Sequence, residues 1–87
     1  MKIKDGFIIR EVAGSYIVVA VGSAVKEFNG IINLNETGAF LWKILENGAT
    51  KEELLEKLLG EYDVDEKTAR ADIDAFIKKL QEAELVK

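Results

Sequence analysis

Few residue types in this chain could perform chemistry. The sequence contains no histidine and no cysteine, but it contains 16 aspartate and glutamate residues. Triads built on Ser-His or Cys-His pairs are therefore excluded, and zinc and most transition-metal sites are disfavoured. The carboxylates fall mostly at helical positions that we expect to face solvent. We therefore expect no catalytic residue, no metal site and no cofactor.

Length, charge and hydropathy limit the remaining classes of function. The 87 residues predict one domain, residues 1–87, with a single modest core. A net charge of −4 disfavours a protein that neutralises nucleic-acid phosphates. No apolar run approaches the roughly 20 residues of a membrane span, and the N-terminus does not resemble a secretory signal. We therefore expect a cytoplasmic protein with neither a nucleic-acid nor a membrane partner.

The first third of the chain reads as β-structure. Short β-branched runs predict strands over residues 7–12 and 16–21, and Gly14 suits the tight turn between them. Residues 22–28 are ambiguous, because they fit a strand extension, a loop or one helical turn. The dipeptide Asn29-Gly30 predicts a turn that leads into a third strand, which runs over residues 31–34.

The rest of the chain has helical periodicity. Asn35 is the expected cap of a first helix, which Asn47-Gly48 ends. Thr50 and Glu53 fit a capping box at the start of a second helix, and Asp65 is the expected cap of a third. The sequence thus predicts an α+β fold, in which a three-stranded antiparallel β-meander precedes three helices in a winged helix-turn-helix-like order.

The third helix has one apolar face between two polar flanks. Its apolar stripe comprises Ala69, Ile73, Phe76, Leu80 and Ala83. On a helical wheel, one flank carries Arg70, Asp74, Ile77 and Gln81, and the other carries Asp72 and Lys79. The sequence leaves open which flank faces the third strand.

The centre of the chain is similar to a known motif. Residues 28–42, FNGIINLNETGAFLW, resemble the LNxTGxxIW core of the PqqD-like family, which includes the pyrroloquinoline quinone biosynthesis protein D. The resemblance extends from residue 7 onward through further short motifs, which include residues 62–64 and the third-helix pairs Asp72-Ile73 and Phe76-Ile77. Glu84 departs from the pattern, since many relatives have glycine there.

The resemblance implies a RiPP precursor peptide recognition element, where RiPPs are ribosomally synthesised and post-translationally modified peptides. Such proteins bind the leader region of a precursor peptide without catalysis. They present the peptide to a modifying enzyme, often a radical S-adenosylmethionine enzyme. In the family, the leader adds as an extra strand to the third strand and lies against the third helix. An unpaired strand edge suits this binding mode.

The candidate peptide-binding residues follow from this mode. Those on the third helix are chosen because an isoleucine beside charges could serve both an apolar pocket and its polar rim. The candidates are Asn29, Gly30, Ile31, Ile32, Asn33, Leu34, Arg70, Asp74, Ile77 and Lys78.

Other classes of function compete with this hypothesis. The alternative is a winged-helix DNA-binding regulator, but the helix that would enter the groove, residues 65–84, has a net charge of −2. A small enzyme is disfavoured by the lack of histidine and cysteine. An unassigned interaction domain is the remaining possibility.

Overall fold

The structure, a computed structural model, describes residues 1–26 and 30–86. Three antiparallel strands are followed by three helices, which confirms the predicted α+β fold. The strands are β1 (Phe7–Val12), β2 (Ser15–Ala20) and β3 (Ile32–Leu34), and the helices are α1 (Glu36–Leu45), α2 (Lys51–Glu61) and α3 (Glu66–Glu82). No helix of the described residues is long and apolar enough to cross a membrane.

A two-residue turn joins β1 to β2. Val12 lies opposite Ser15, and between them Ala13 and Gly14 both have positive φ angles, 51° and 82°. Positive φ at both turn residues matches the right-handed twist of the flanking strands, and glycine adopts it without a steric penalty. β2 consequently begins at Ser15, one residue before the predicted start.

The described part of the ambiguous segment after β2 forms a short 3-10 helix, Gly22–Lys26. Residues 27–29 lie outside the described residues, and with them the predicted binding residue Asn29. β3 begins at Ile32 instead of residue 31, because its pairing with β2 ends where Ile32 lies opposite Val18. Ile31 precedes the strand and is 61% exposed.

All three predicted helix caps are present. Asn35 Oδ1 accepts a hydrogen bond from the Gly38 N–H at 2.7 Å, and Asp65 Oδ1 accepts one from the Thr68 N–H at 2.7 Å. This bonding to Thr68 lowers the pKa of Asp65, because it favours the ionised carboxylate. At α2, Thr50 and Glu53 satisfy each other's backbone N–H groups, which completes the predicted capping box.

The core lies between one face of the sheet and the three helices. Ile32 and Leu34 point into it from β3, and Trp42 and Leu45 are fully buried on α1. From α3 it receives the predicted stripe members Ala69, Ile73, Phe76 and Leu80, together with Ile77. Ala83, the last member of the predicted stripe, is half-buried.

The two ends of the chain meet beside the core. Ile3 forms an isolated antiparallel bridge with Val86, and the Lys4 N–H donates to the Leu85 carbonyl at 2.8 Å. Leu85 is fully buried. The reversal that brings this tail back from α3 occurs at Glu84, whose φ of 59° is the left-handed conformation that glycine adopts most easily.

The core position of Ile73 gives a test of the packing. Replacing Ile73 with alanine leaves a cavity beneath α3 and should lower the free energy of unfolding by about 2–5 kcal/mol. Chemical denaturation measures this change. The exposed Gln81, changed to alanine, is the control and should alter stability by no more than about 0.5 kcal/mol. Equal effects at the two positions would contradict the described packing.

Candidate functional site

The outer edge of β3 is the first component of the site. Within the described sheet the strand order is β1-β2-β3, so β3 pairs with β2 on one side only. On its other side, the Lys79 ammonium donates a hydrogen bond to the Asn33 carbonyl at 2.9 Å. The Asn33 backbone therefore points away from β2 and toward α3.

The backbone of β3 divides its groups between two neighbours. In an antiparallel pair, residues that bond to the partner strand alternate with residues whose N–H and C=O point outward. Since the Asn33 carbonyl points outward, Ile32 and Leu34 are the residues whose backbone groups face β2. Their side chains, each 8% exposed, enter the core. The open edge thus offers the N–H and C=O of Asn33 to an extended chain.

A groove of about 200 Å³ runs beside this edge, between β3, the start of α1 and the middle of α3. The buried side chains of Leu34, Leu41 and Phe76 provide its apolar surface. The full lining comprises Leu34, Asn35, Thr37, Gly38, Leu41, Asp72, Ala75, Phe76 and Lys79.

Gly38 allows the close approach of β3 and α1 at the groove. A Cβ atom at this position would lie 3.1 Å from Asn35 Oδ1 and 3.4 Å from the Leu34 side chain. Such an atom would crowd both the helix cap and the groove lining. The glycine of the central motif therefore serves the start of α1 and the shape of the groove together.

Opposite charges stand at the mouth of the groove. Asp72 and Lys79 are both exposed and lie two turns apart on the same flank of α3, with the exposed Ala75 between them. Within residues 1–26 and 30–86, no three acidic side chains are grouped so that they could hold a metal ion. The open edge, the apolar lining and the two opposite charges together can bind the backbone of an extended chain and discriminate between its side chains by size and charge.

The other flank of α3 contacts α2. Arg70 bonds to Glu66 at 3.0 Å and to Glu52 at 3.3 Å, and Lys51 pairs with Asp74 at 3.3 Å. The hydrogen bond to Glu66 is the largest cause that raises the pKa of Arg70, and the hydrogen bond to Glu52 is the next largest. All of these groups are largely exposed, so the pairs contribute little to stability.

The structure thus brings only part of the predicted site together. Leu34 lines the groove, Asn33 is bonded to the groove residue Lys79, and Gly30 and Ile31 are exposed just before β3. Arg70 and Asp74 lie on the α2 side. Ile77 is only 2% exposed, and Lys78 points to solvent. The binding roles assigned to the candidate residues stay predictions.

Sequence reasoning missed the groove residues on α3. Ala75 and Phe76 gave no functional signal, because small and aromatic residues at helical spacing are typical of packing. The helical wheel did place Asp72 and Lys79 on one flank, which was the available signal. Choosing between the flanks required the orientation of α3 relative to β3, and that depends on tertiary packing.

Two solved structures share the fold of this chain. One, TbiB1 in complex with the TbiA(beta) leader peptide, is 25% identical, with a TM-score of 0.77 over all of this chain and 95% of that chain. The other, lasso peptide synthetase B1 complexed with the leader peptide, is 21% identical, with a TM-score of 0.70 over 93% of this chain and 89% of that chain.

The sequence profile of coenzyme PQQ synthesis protein D (PqqD) matches residues 14–86. The chain belongs to this family. A search of curated protein sequences finds no match.

The cap at Asn35 can be separated from the groove by substitution. Asn35→Ala removes the acceptor for the Gly38 N–H and should lower the free energy of unfolding by about 1 kcal/mol. Thermal or chemical denaturation measures the loss. Asn35→Ser supplies another capping oxygen and should restore most of it. If serine were as destabilising as alanine, the cap would not be the main role of Asn35.

Proposed function

We propose that this chain is a non-catalytic protein that binds the leader region of a ribosomally synthesised precursor peptide and delivers it to a modifying enzyme. The observation that carries the proposal is the open edge of β3 beside an apolar groove. Family membership and the two leader-bound structural relatives support the same function.

Strand addition to β3 is the proposed binding mode. The outward N–H and C=O of Asn33 would bond to the main chain of the peptide, which extends the sheet by one strand. Such bonds supply affinity while placing few demands on the peptide sequence. Gly30 and Ile31 are exposed before β3 and would lengthen the docking edge. Asn29, which precedes them in the chain, is included among the proposed binding residues.

Sequence selection would come from the groove. An apolar peptide side chain pointing toward α3 would contact Leu34, Leu41 and Phe76. The charges of Asp72 and Lys79 would then act on the flanking peptide residues. Ile32 and Ile77 lie in the core and would support the groove from behind.

Arg70, Asp74 and Lys78 form a second candidate set on α3. Arg70 and Asp74 already pair with α2, so a peptide would reach them only by continuing around the helix from the groove. The charge of this helix weighs against the DNA-binding alternative, because Arg70 is already paired with two carboxylates and residues 65–84 carry a net charge of −2, which would repel a phosphate backbone.

Delivery to an enzyme extends the proposal beyond the chain itself. The family resemblance implies a modifying enzyme, which in this family is often of the radical S-adenosylmethionine class. A chain without histidine or cysteine suits a carrier better than a catalyst. The cytoplasmic location stays a prediction.

Amide resonances should map the peptide site. The probe is a synthetic peptide that covers the leader segment of a candidate precursor, which is to be sought among short open reading frames beside this chain's gene. At saturation, the amides of Gly30 to Leu34 and of the groove-facing part of α3 should shift, and those of α2 should shift little. Unperturbed β3 amides at saturation would contradict strand addition.

Blocking the groove should prevent binding without disturbing the core. Ala75→Arg places a long side chain in the groove from an exposed position and should weaken leader affinity at least about tenfold, the loss of one well-buried contact. Isothermal titration calorimetry measures the affinity. Gln81→Arg adds the same side chain and charge on the other flank and should leave affinity nearly unchanged. Equal losses would place the site elsewhere.

The second candidate set is tested in the same assay. Because Arg70 lies on the α2 side, Arg70→Glu should change leader affinity less than Ala75→Arg does. A larger effect at Arg70 would move the proposed site toward the α2 flank. Circular dichroism checks that each variant remains folded.

A further inference from the structure

Lys79 is hydrogen-bonded to the backbone carbonyl that an added strand would need. Its ammonium extends from α3 to the outer edge of β3 and donates to the Asn33 carbonyl at 2.9 Å. Because Lys79 also lines the groove, this contact lies at the side of the groove that borders the β3 edge. A peptide that adds to β3 must enter the space that this side chain now crosses.

The ammonium needs a new acceptor once a peptide is bound. Lysine carries three N–H donors and no acceptor, so water or an acceptor group of the peptide must replace the Asn33 carbonyl. A carboxylate is the strongest such group, because its bond to an ammonium is charge-assisted. Lys79 forms no ion pair among the described residues, although Asp72 and Glu82 lie on its own helix. Its charge is therefore available to a ligand.

We infer that Lys79 is a specificity-determining residue of the peptide site, which caps the β3 edge in the free protein and binds an aspartate or glutamate side chain of the bound leader. This inference rests on the proposed function and names the peptide chemistry that the site selects. The selected acid occupies one position in the leader. Acids elsewhere in the leader gain nothing, because the whole chain carries a net charge of −4.

The cap can be observed in the free protein first. Lys79→Met removes the donor but keeps the apolar stem of the side chain. It should shift the carbonyl ¹³C resonance of Asn33, whereas Lys67→Met, exposed near the start of the same helix, should leave that resonance in place. Both variants lose one positive charge, so a difference between them reports the hydrogen bond. Equal shifts, or none, would overturn the cap.

A double-mutant cycle then tests the selected acid. The probe is the same synthetic leader peptide, with each aspartate or glutamate replaced in turn by asparagine or glutamine. At one leader position the replacement should weaken binding to the unmodified protein by about threefold or more, and it should have little effect on the Lys79→Met variant. The Lys67→Met variant should show the same loss as the unmodified protein.

The hydrogen bond from Lys79 to Asn33 predicts a second result in the double-mutant cycle. Lys79→Met should bind the neutralised leader at least as tightly as the unmodified protein does, because no cap remains to be displaced. Weaker binding there would make Lys79 a simple contact and overturn its role as a cap. If Asp72→Asn removed the dependence on Lys79, the helix acid would be the new partner and the selection of a leader acid would be wrong.

The outcomes separate this inference from the proposed function. A leader that binds no variant and shifts no β3 amide contradicts the proposed function, and the inference falls with it. A leader that shifts the β3 amides but shows no coupling to Lys79, or that contains no acidic residue, leaves the proposed function standing and overturns the inference alone.

Discussion

The alternation of β3 is the constraint on which the rest of the site depends. Three residues form the strand, and the directions in which their side chains and backbone groups point alternate strictly from one residue to the next. Ile32 and Leu34 send their side chains into the core and their backbone groups to β2. The side chain of Asn33 points away from the core, and its backbone groups point away from β2. A shift of one residue in register would bury Asn33 and expose both apolar side chains, so the core itself fixes which backbone groups remain at the open edge.

The helices convert this edge into a site. α1 begins immediately after β3, and its cap at Asn35 and the close approach at Gly38 hold one wall of the groove beside the strand. α3 supplies the other wall, and its apolar stripe fixes the rotation that presents Asp72, Ala75 and Lys79. An exposed edge is a hazard for self-association in most proteins. Here the edge lies beside a groove that limits what can approach it, and a lysine already covers part of it.

Much of this architecture could be predicted from the sequence because its determinants are local. Helix caps depend on residues three positions apart, and Asn35, Thr50 and Asp65 were all identified correctly. The hairpin followed from Gly14 and the β-branched runs on either side of it. The 3-10 helix after β2 could not be chosen over its alternatives, because residues 22–28 have no clear period. The flank of α3 that faces β3 could not be chosen either, since helical periodicity identifies a buried face but gives no direction to its two sides.

The bridge between Ile3 and Val86 makes the folded chain nearly a closed ring. Almost the whole sequence lies between these two residues, and the hydrogen bond from Lys4 to Leu85 reinforces the closure. Folded domains with adjacent ends often tolerate circular permutation. A short linker could join the present ends, and the turn at Ala13 and Gly14 could be opened to create new ones, which would leave β3, α1 and α3 continuous. The order in which the elements are connected would change, while the groove they form would keep its composition.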